Sequence, residues 1–600
     1  MRGTRSMNVD RQLTMLMVII FMINCLSGCG IVRSSQIDTT QNTQYGDEDS
    51  DEDGEEELKP VRGGSIAIPL VKGDVLNPLI SSSKDVMDIS GLIFEGLVTH
   101  DDELRPAPAL AESWSVTDDG KTWAFNLREG VKWHDGRDFT VDDVIFTINA
   151  LRSGVYDTYY AQNFNRIDCI ERVYSSDNNT LYIKLRHPVS YFLDSMIFPV
   201  LPRHIYEGET KLNKTKNRKR SKKSTIVDND EGEGSQEEEG YGDSIVQYIS
   251  EENVPPIGTG PYRVAMDTYS ANEDFTLVKN DNYWDEEPYI GKIEIKVYNN
   301  SAEAINAFQI RQIDVLDTNV VFAETYAQDD VNLYRYLTQN YEFLAINHQN
   351  PILSDIQVRK ALAYGIDRNS IIKETYLNNA EAIDAPIPSN SWLYDGSFRI
   401  YDCDIDRAIE LLEDAGWHDT DGDGIRDKEV DGKKLDLSFK LVTNSENDLR
   451  KDVAEDIKRQ LGETENKLGI QIDIEIVQWE ELKEEIIPDR DFDILLTGYN
   501  LPVMPDLESL FASYSHENFM GYSSEELDAL ILKAKQGHSE GGIKEAYSEI
   551  QSHFTEQLPV ISLYFPTSSV LISKNIGGKI CPRELDIYRD IQKWYITDRK

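Results

Sequence analysis

Six hundred residues, 40% of them hydrophobic and 10% aromatic, supply enough apolar side chain for several packed cores. The formal net charge of −46 excludes a surface built to neutralise nucleic-acid phosphates, which needs clustered Lys and Arg. No GxxxxGK[ST] or HExxH pattern occurs, so the chain offers neither a phosphate cradle nor a metalloprotease helix.

The chain opens with Arg2, Arg5 and Arg11 ahead of an apolar run from Leu13 to Leu26, which ends in Leu26-Ser27-Gly28-Cys29. A basic start followed by a short apolar stretch predicts a secretory signal over 1–28, since a comfortable membrane span needs about 20 apolar residues. The residues before Cys29 resemble the lipobox of bacterial lipoproteins. That resemblance implies cleavage before Cys29, lipidation of its side chain and attachment to a membrane. Asp47 to Glu57 is almost wholly acidic and self-repelling, so 29–60 is expected to be an extended tether.

Further along, Asp119-Gly120 predicts a hairpin turn between strands that carry Trp114 and Trp123. Thr140 is a helix N-cap candidate with Asp143 three residues on, in the capping-box place. His134-Asp135 reads as a turn at a strand end and not as an acid–base pair, because no third partner is in view. Residues 207–245 join a basic half, Lys214 to Lys223, to an acidic half, Asp228 to Asp243, and predict a disordered insertion. Strand periodicity marks Lys292 to Tyr298, followed by a helix around 301–312, and helices are expected over 355–368 and 404–415. Leu449, Val453, Ile457 and Leu461 form one face of a helix. Ile470, Ile472, Ile474 and Ile476 alternate as a strand. Leu482, Ile486 and Ile487 suggest a helix stopped by Pro488, and Phe492 to Gly498 reads as a buried strand. Strand and helix in alternation predict α/β architecture.

Asp419, Asp421 and Asp423, with Gly424 in the sixth place, have the spacing that opens a calcium loop. The twelfth place holds Val430 instead of a bidentate Glu, which leaves a Ca2+ site or a solvated turn open. Cys25 falls in the signal, and Cys169, Cys403 and Cys581 are too scattered for a metal site or a disulfide framework. One pair among the three remains open.

The stretch Leu110 to Ile148, LAESWSVTDDGKTWAFNLREGVKWHDGRDFTVDDVIFTI, resembles the characteristic segment of the extracellular solute-binding protein family 5, which includes dipeptide- and oligopeptide-binding proteins. Other segments follow in family order: Asn77-Pro78, Ile93 to Val98, Gly258 to Tyr262, Asn282 to Trp284, Val358 to Arg368, Asp491 to Asp493 and Gly521-Tyr522. The resemblance implies an α/β, two-lobed periplasmic-binding-protein-like fold (type II, large form), with an extra domain on the first lobe and hinge strands between lobes. Its implied divisions are 61–97 for the first part of lobe I, 98–195 for the extra domain, 196–330 for the second part of lobe I, 331–562 for lobe II and 563–600 for the lobe I return. Ligand contacts are implied at Glu95, Gly96 and Leu97 of the first lobe and at Gly498, Tyr499 and Asn500 of the second. Relatives that bind a free peptide amine carry an Asp shortly after that Gly; here the place holds Pro502, and Asp506 is the candidate substitute. The implied function is capture of a peptide or similar small solute by lobe closure for an ABC permease, by a monomer without catalytic residues or cofactor. A solute-sensing lipoprotein and a surface hydrolase on a related scaffold are the alternatives.

Overall fold

The computed structural model describes residues 60–71, 76–78, 81, 83–152, 167–206, 256–270, 273–430, 432–462 and 468–597. The signal over 1–28, Cys29, the tether up to residue 59 and the insertion over 207–245 lie outside the described residues. No helix among the described residues is long and apolar enough to cross a membrane.

Alternation builds the first lobe. Strands Ser65–Val71 and Lys292–Tyr298 pair in parallel from Ser65 opposite Lys292 to Val71 opposite Tyr298. Phe275–Lys279 and then Tyr262–Val264 add antiparallel strands to complete a four-stranded sheet. Ile66, Ile68, Leu70, Ile293 and Ile295 bury one face against Val86 and Ile89 of the helix Lys84–Ser90. The period-2 pattern of 292–298 is thus a strand with one face in a core.

A second sheet of eight strands carries the second lobe and joins it to the first. Its axis is the 14-residue strand Val560–Ser573. The first half of that strand pairs with Asn340–Ile346, and Ile561, Leu563 and Tyr564 enter the second-lobe core. The second half pairs with Val331–Leu337 and Val315–Thr318, and Val570 and Ile572 enter the first-lobe core. The hairpin Val331–Leu337 to Asn340–Ile346 makes the same passage, with Tyr336 in one core and Leu344 in the other. These two elements are the hinge strands, and the expected division between 562 and 563 falls inside one of them. In the second lobe, Ser438–Asn444 runs parallel to Gln471–Val477 and to Ile494–Asn500, covered by the helix Asp448–Gly462.

A separate antiparallel sheet, Ala111–Val116, Thr122–Leu127, Thr180–Leu185 and Ile170–Ser175, forms the extra domain with the helix Val141–Arg152. Trp123, Phe125, Trp133 and Phe192 fill its core. Gly120 takes φ 69° in the predicted turn, which favours glycine. Asp143 completes the capping arrangement: its Oδ2 accepts the Thr140 N–H at 2.9 Å and the Thr140 hydroxyl at 3.1 Å.

Three local expectations change. The helix expected to stop at Pro488 runs on from Trp479 to Asp489 and ends at Arg490, which is left-handed with φ 55°. Pro488 opens the last turn, behind the π-helical Leu482–Ile486, where a missing N–H is tolerated. The single helix expected over 355–368 is two, Ile356–Gly365 and Arg368–Glu374. Asp367 caps the second by accepting the Ser370 N–H at 3.0 Å. Of the four alternating isoleucines, Ile476 is 47% exposed, because Gln471–Val477 is the edge strand of its sheet. No disulfide joins Cys169, Cys403 and Cys581.

Candidate functional site

Glu95 leaves the first-lobe core just after Phe94 and receives three donors on its carboxylate. The hydroxyl of Thr259 donates at 2.8 Å, that of Tyr283 at 2.8 Å and the indole N–H of Trp284 at 2.9 Å. Burial raises the Glu95 pKa against the opposing pull of these three bonds. Gly96 follows because nothing larger fits: a Cβ there would lie 2.6 Å from the Ile197 carbonyl oxygen. Glu95 and Gly96 line a cavity of about 360 Å3. Leu97 does not; its side chain is fully buried in the extra-domain core.

The second-lobe residues sit on the strand Ile494–Asn500, which pairs with Asn340–Ile346 so that Gly498 lies opposite Glu342 and Asn500 opposite Asn340. Gly498, Tyr499 and Asn500 are not themselves in the cavity wall. Tyr499 is half-buried against the second-lobe core, and the next three residues, Leu501, Pro502 and Val503, face Glu95 and Gly96 across the cavity. The strand thus delivers its loop to the site. Asp506 is not brought there. It lines a small separate cavity with Tyr191, and its Oδ1 accepts the Glu508 N–H at 3.1 Å. That bond holds the turn ahead of the short helix Glu508–Phe511, away from the cavity that Pro502 lines.

A second cavity of about 420 Å3 adjoins the first, and Asp88, Thr338, Glu584 and Tyr588 line both. Together they make one cleft walled by both lobes. Asn340, Glu342 and Tyr376 face it from the second lobe. From the first lobe, the Lys84 ammonium sits 2.9 Å from Asp88 and 3.1 Å from Asp317, and the Tyr336 hydroxyl donates to Asp317 at 2.9 Å. Burial pushes the Asp88 carboxyl up to about 7 and raises those of Asp85 and Glu584. At the other end of the cleft, burial pushes Arg583 down to about 10. The wall is charged and rich in carboxylates. Lys84, Asp88, Asp317 and Glu584 come from three distant segments, and only the i,i+4 spacing of Lys84 and Asp88 was visible in the sequence.

The lobes also touch beyond the cleft. The Trp392 N–H donates to the Glu103 carbonyl at 2.8 Å, and Tyr191 packs against both the extra-domain core and the second-lobe core.

Other candidates serve structure. His134 Nδ1 accepts the Gly258 N–H at 3.2 Å and its Nε2 lies 3.0 Å from the Gly260 carbonyl, while Asp135 pairs with His204 at 2.7 Å. Sequence reading passes over one motif: Gly537-His538-Ser539-Glu540-Gly541 has the GxSxG spacing of a nucleophile elbow, but it joins two helices, and Ser539 Oγ caps the second by accepting the Gly542 N–H. Oxygens of Asp419, Asp421 and Asp423 lie within 4.8 Å of one another on the surface. Backbone N–H groups of Gly422 and Gly424 donate to Asp419, and the Lys434 ammonium sits on Asp421. The turn thus has internal partners for its charge.

The family described as "Bacterial extracellular solute-binding proteins, family 5 Middle" matches residues 105–521. The chain is 27% identical over 597 residues to the oligopeptide-binding protein AppA of Bacillus subtilis (strain 168), covering 98% of each. The solved structure of Bacillus subtilis AppA with a nonapeptide matches at TM-score 0.57 and 25% identity, over 90% of this chain and 100% of that one. The periplasmic murein tripeptide-binding protein MppA, in its unliganded open form, matches at TM-score 0.71 and 17% identity, over 90% of this chain and 98% of that one, a likeness of fold.

Proposed function

This chain belongs to the bacterial extracellular solute-binding proteins of family 5, and from that premise we propose that it captures peptides for an ABC importer at the outer face of a membrane. The observation that carries the reading is the cleft itself. Two adjoining cavities share four residues and take their walls from both lobes, and among the described residues two hinge elements connect those lobes. Such a body traps a ligand by closing on it, to the extent that the ligand binds the closed form better than the open one. An extended peptide suits the site because main-chain hydrogen bonds hold any sequence while a roomy cavity accepts varied side chains. The name and bound nonapeptide of the Bacillus subtilis relative support the same class.

In this reading Cys29 carries the lipid, residues 29–60 let the body range near the membrane, and the monomer delivers its cargo to a permease that recognises the closed form. The cargo leaves unaltered, and the cleft uses no metal or cofactor; a Ca2+ ion at Asp419, Asp421 and Asp423 would act only on the second-lobe surface. Mass spectrometry of material released from the purified protein by mild denaturation tests the reading. Intact short peptides are expected. Recovery of cleaved fragments, or of a non-peptide solute alone, overturns it. Loss of membrane association in a Cys29→Ser variant is the expected sign of the anchor.

A further inference from the structure

Glu584 stands where the two cavities meet and lines both. Its Oε2 accepts the backbone N–H of Gln339 at 3.0 Å, in the turn of the hinge hairpin. The carbonyl of Gln339 in turn accepts the N–H of Leu501 at 2.9 Å, the first residue of the second-lobe loop that faces Glu95. Beside them, Thr338 ties the hairpin to the other hinge strand, its N–H and hydroxyl donating to the Pro566 carbonyl at 2.9 and 2.8 Å. One carboxylate therefore touches the cleft, the hinge backbone and, through one residue, the opposite wall.

The charges around it are unevenly matched. Lys84 is engaged by Asp88 and Asp317, and no ion pair to Glu584 occurs among the described residues. Glu584 is half-buried, and Lys84, the cation that attracts it, is already held by two other carboxylates, so a ligand cation placed beside Glu584 gives it a partner of its own. Burial raises the Glu584 carboxyl, as expected for such a group. The strongly negative chain as a whole concentrates cations near its surface.

We propose that Glu584 is the specificity-determining residue of the cleft: it selects ligands bearing an ammonium or guanidinium group, and its bond to Gln339 couples that group to the hinge. The inference rests on the peptide-capture reading and names the charge class of the peptide.

The test is competitive capture from a mixed library of random short peptides by the full mature protein and by its Glu584→Gln and Glu584→Ala variants, with retained peptides sequenced by mass spectrometry. The wild type is expected to enrich Lys- and Arg-containing peptides about tenfold over neutral ones, the scale of one desolvated charge pair. Glu584→Gln keeps an acceptor for Gln339 N–H, so it should still capture peptides but lose the enrichment. Glu584→Ala should lose the enrichment and also bind all peptides more weakly, with its circular dichroism unchanged. Peptides retained without charge bias by the wild type, or equal bias in Glu584→Gln, would overturn the inference and leave capture standing. No retained peptide at all would overturn the capture reading, and this inference with it.

Discussion

Arg450 grips Glu342 with two parallel hydrogen bonds, Nε to Oε2 and Nη2 to Oε1, both at 2.8 Å, and Gly498 crosses directly over the pair. Asn444 accepts from Arg450 Nη1 at 3.0 Å and Asn340 donates to Glu342 at 2.7 Å, so the remaining polar atoms of the pair are engaged as well. The glycine of the predicted ligand strand is thus required by what lies beneath it. A Cβ at 498 would sit 2.4 Å from Arg450 Nη2 and 2.5 Å from Glu342 Oε1.

Gly498→Ala should therefore push the ion pair out of register, at a cost of about 1–3 kcal/mol typical of overpacking a tight site. Denaturant unfolding would show it, and an unchanged midpoint would mean that the pair shifts freely.

Arg450→Met should be worse. Glu342 is 1% exposed, and a buried carboxylate left without its partner costs about 3–5 kcal/mol. The double variant Arg450→Met, Glu342→Met should recover much of that loss. A double variant no more stable than the single one would contradict the argument.

The first-lobe wall makes a matching prediction. Glu95→Ala orphans the Thr259 and Tyr283 hydroxyls and the Trp284 N–H, whereas Glu95→Gln keeps acceptors for part of that set. Glu95→Ala should lower the melting temperature well below that of Glu95→Gln, and peptide affinity with it. Equal melting temperatures for the two would show that the three donors find other partners.

How far the sequence reached can be judged from these residues. Period-2 and period-4 patterns located Lys292–Tyr298 and Asp448–Gly462, because apolar spacing reports which face is buried. Family order points to Glu95, Gly96 and the strand ending at Asn500; the first two line the cavity, and on the second lobe it is Leu501 to Val503, one step past that strand, that do so. Family order also points to Leu97, whose side chain fills a core, since sequence does not say which way an alternating residue points until pairing is known. Glu584, Asp317 and Asp88 were invisible as a group: each is an ordinary acid in an acid-rich chain, and only the topology gathers them. Pro488 misled because proline breaks a regular α-helix but not a turn that follows a π segment.

Asp88 gives a pH dependence of defined sign. Burial raises its folded pKa from the ordinary 3.8 to about 7, so the folded protein holds a proton that the unfolded chain has lost. Its contribution to stability is greatest at low pH and declines as the pH rises from about 4 to 7. His134 and His348, both held near 4 by burial, act with opposite sign: their contribution declines as the pH falls from 6.5 towards 4. Asp88→Asn removes only the first effect, so its stability relative to wild type should increase with pH across that window. Urea midpoints at several pH values would show it, and a difference independent of pH would contradict the assignment.

Tyr191 bridges the extra domain and the second lobe outside the cleft. Tyr191→Ala should loosen the closed form and speed peptide release about tenfold, with little effect on association, because changes at a contact surface act mostly on dissociation. Stopped-flow release of a labelled peptide measures this. An unchanged release rate would mean that the bridge adds nothing to closure.

The central claim is that the lobes close on the cargo. It is tested most directly by pulsed electron-spin distance measurement between labels on Glu103→Cys in the extra domain and Arg399→Cys in the second lobe, with Cys403→Ser removing the exposed native thiol. Without ligand, the account predicts a broad distribution containing long distances. With saturating peptide, it predicts collapse to one short distance, consistent with the Trp392–Glu103 contact. A distribution that stays the same while peptide binds would contradict it.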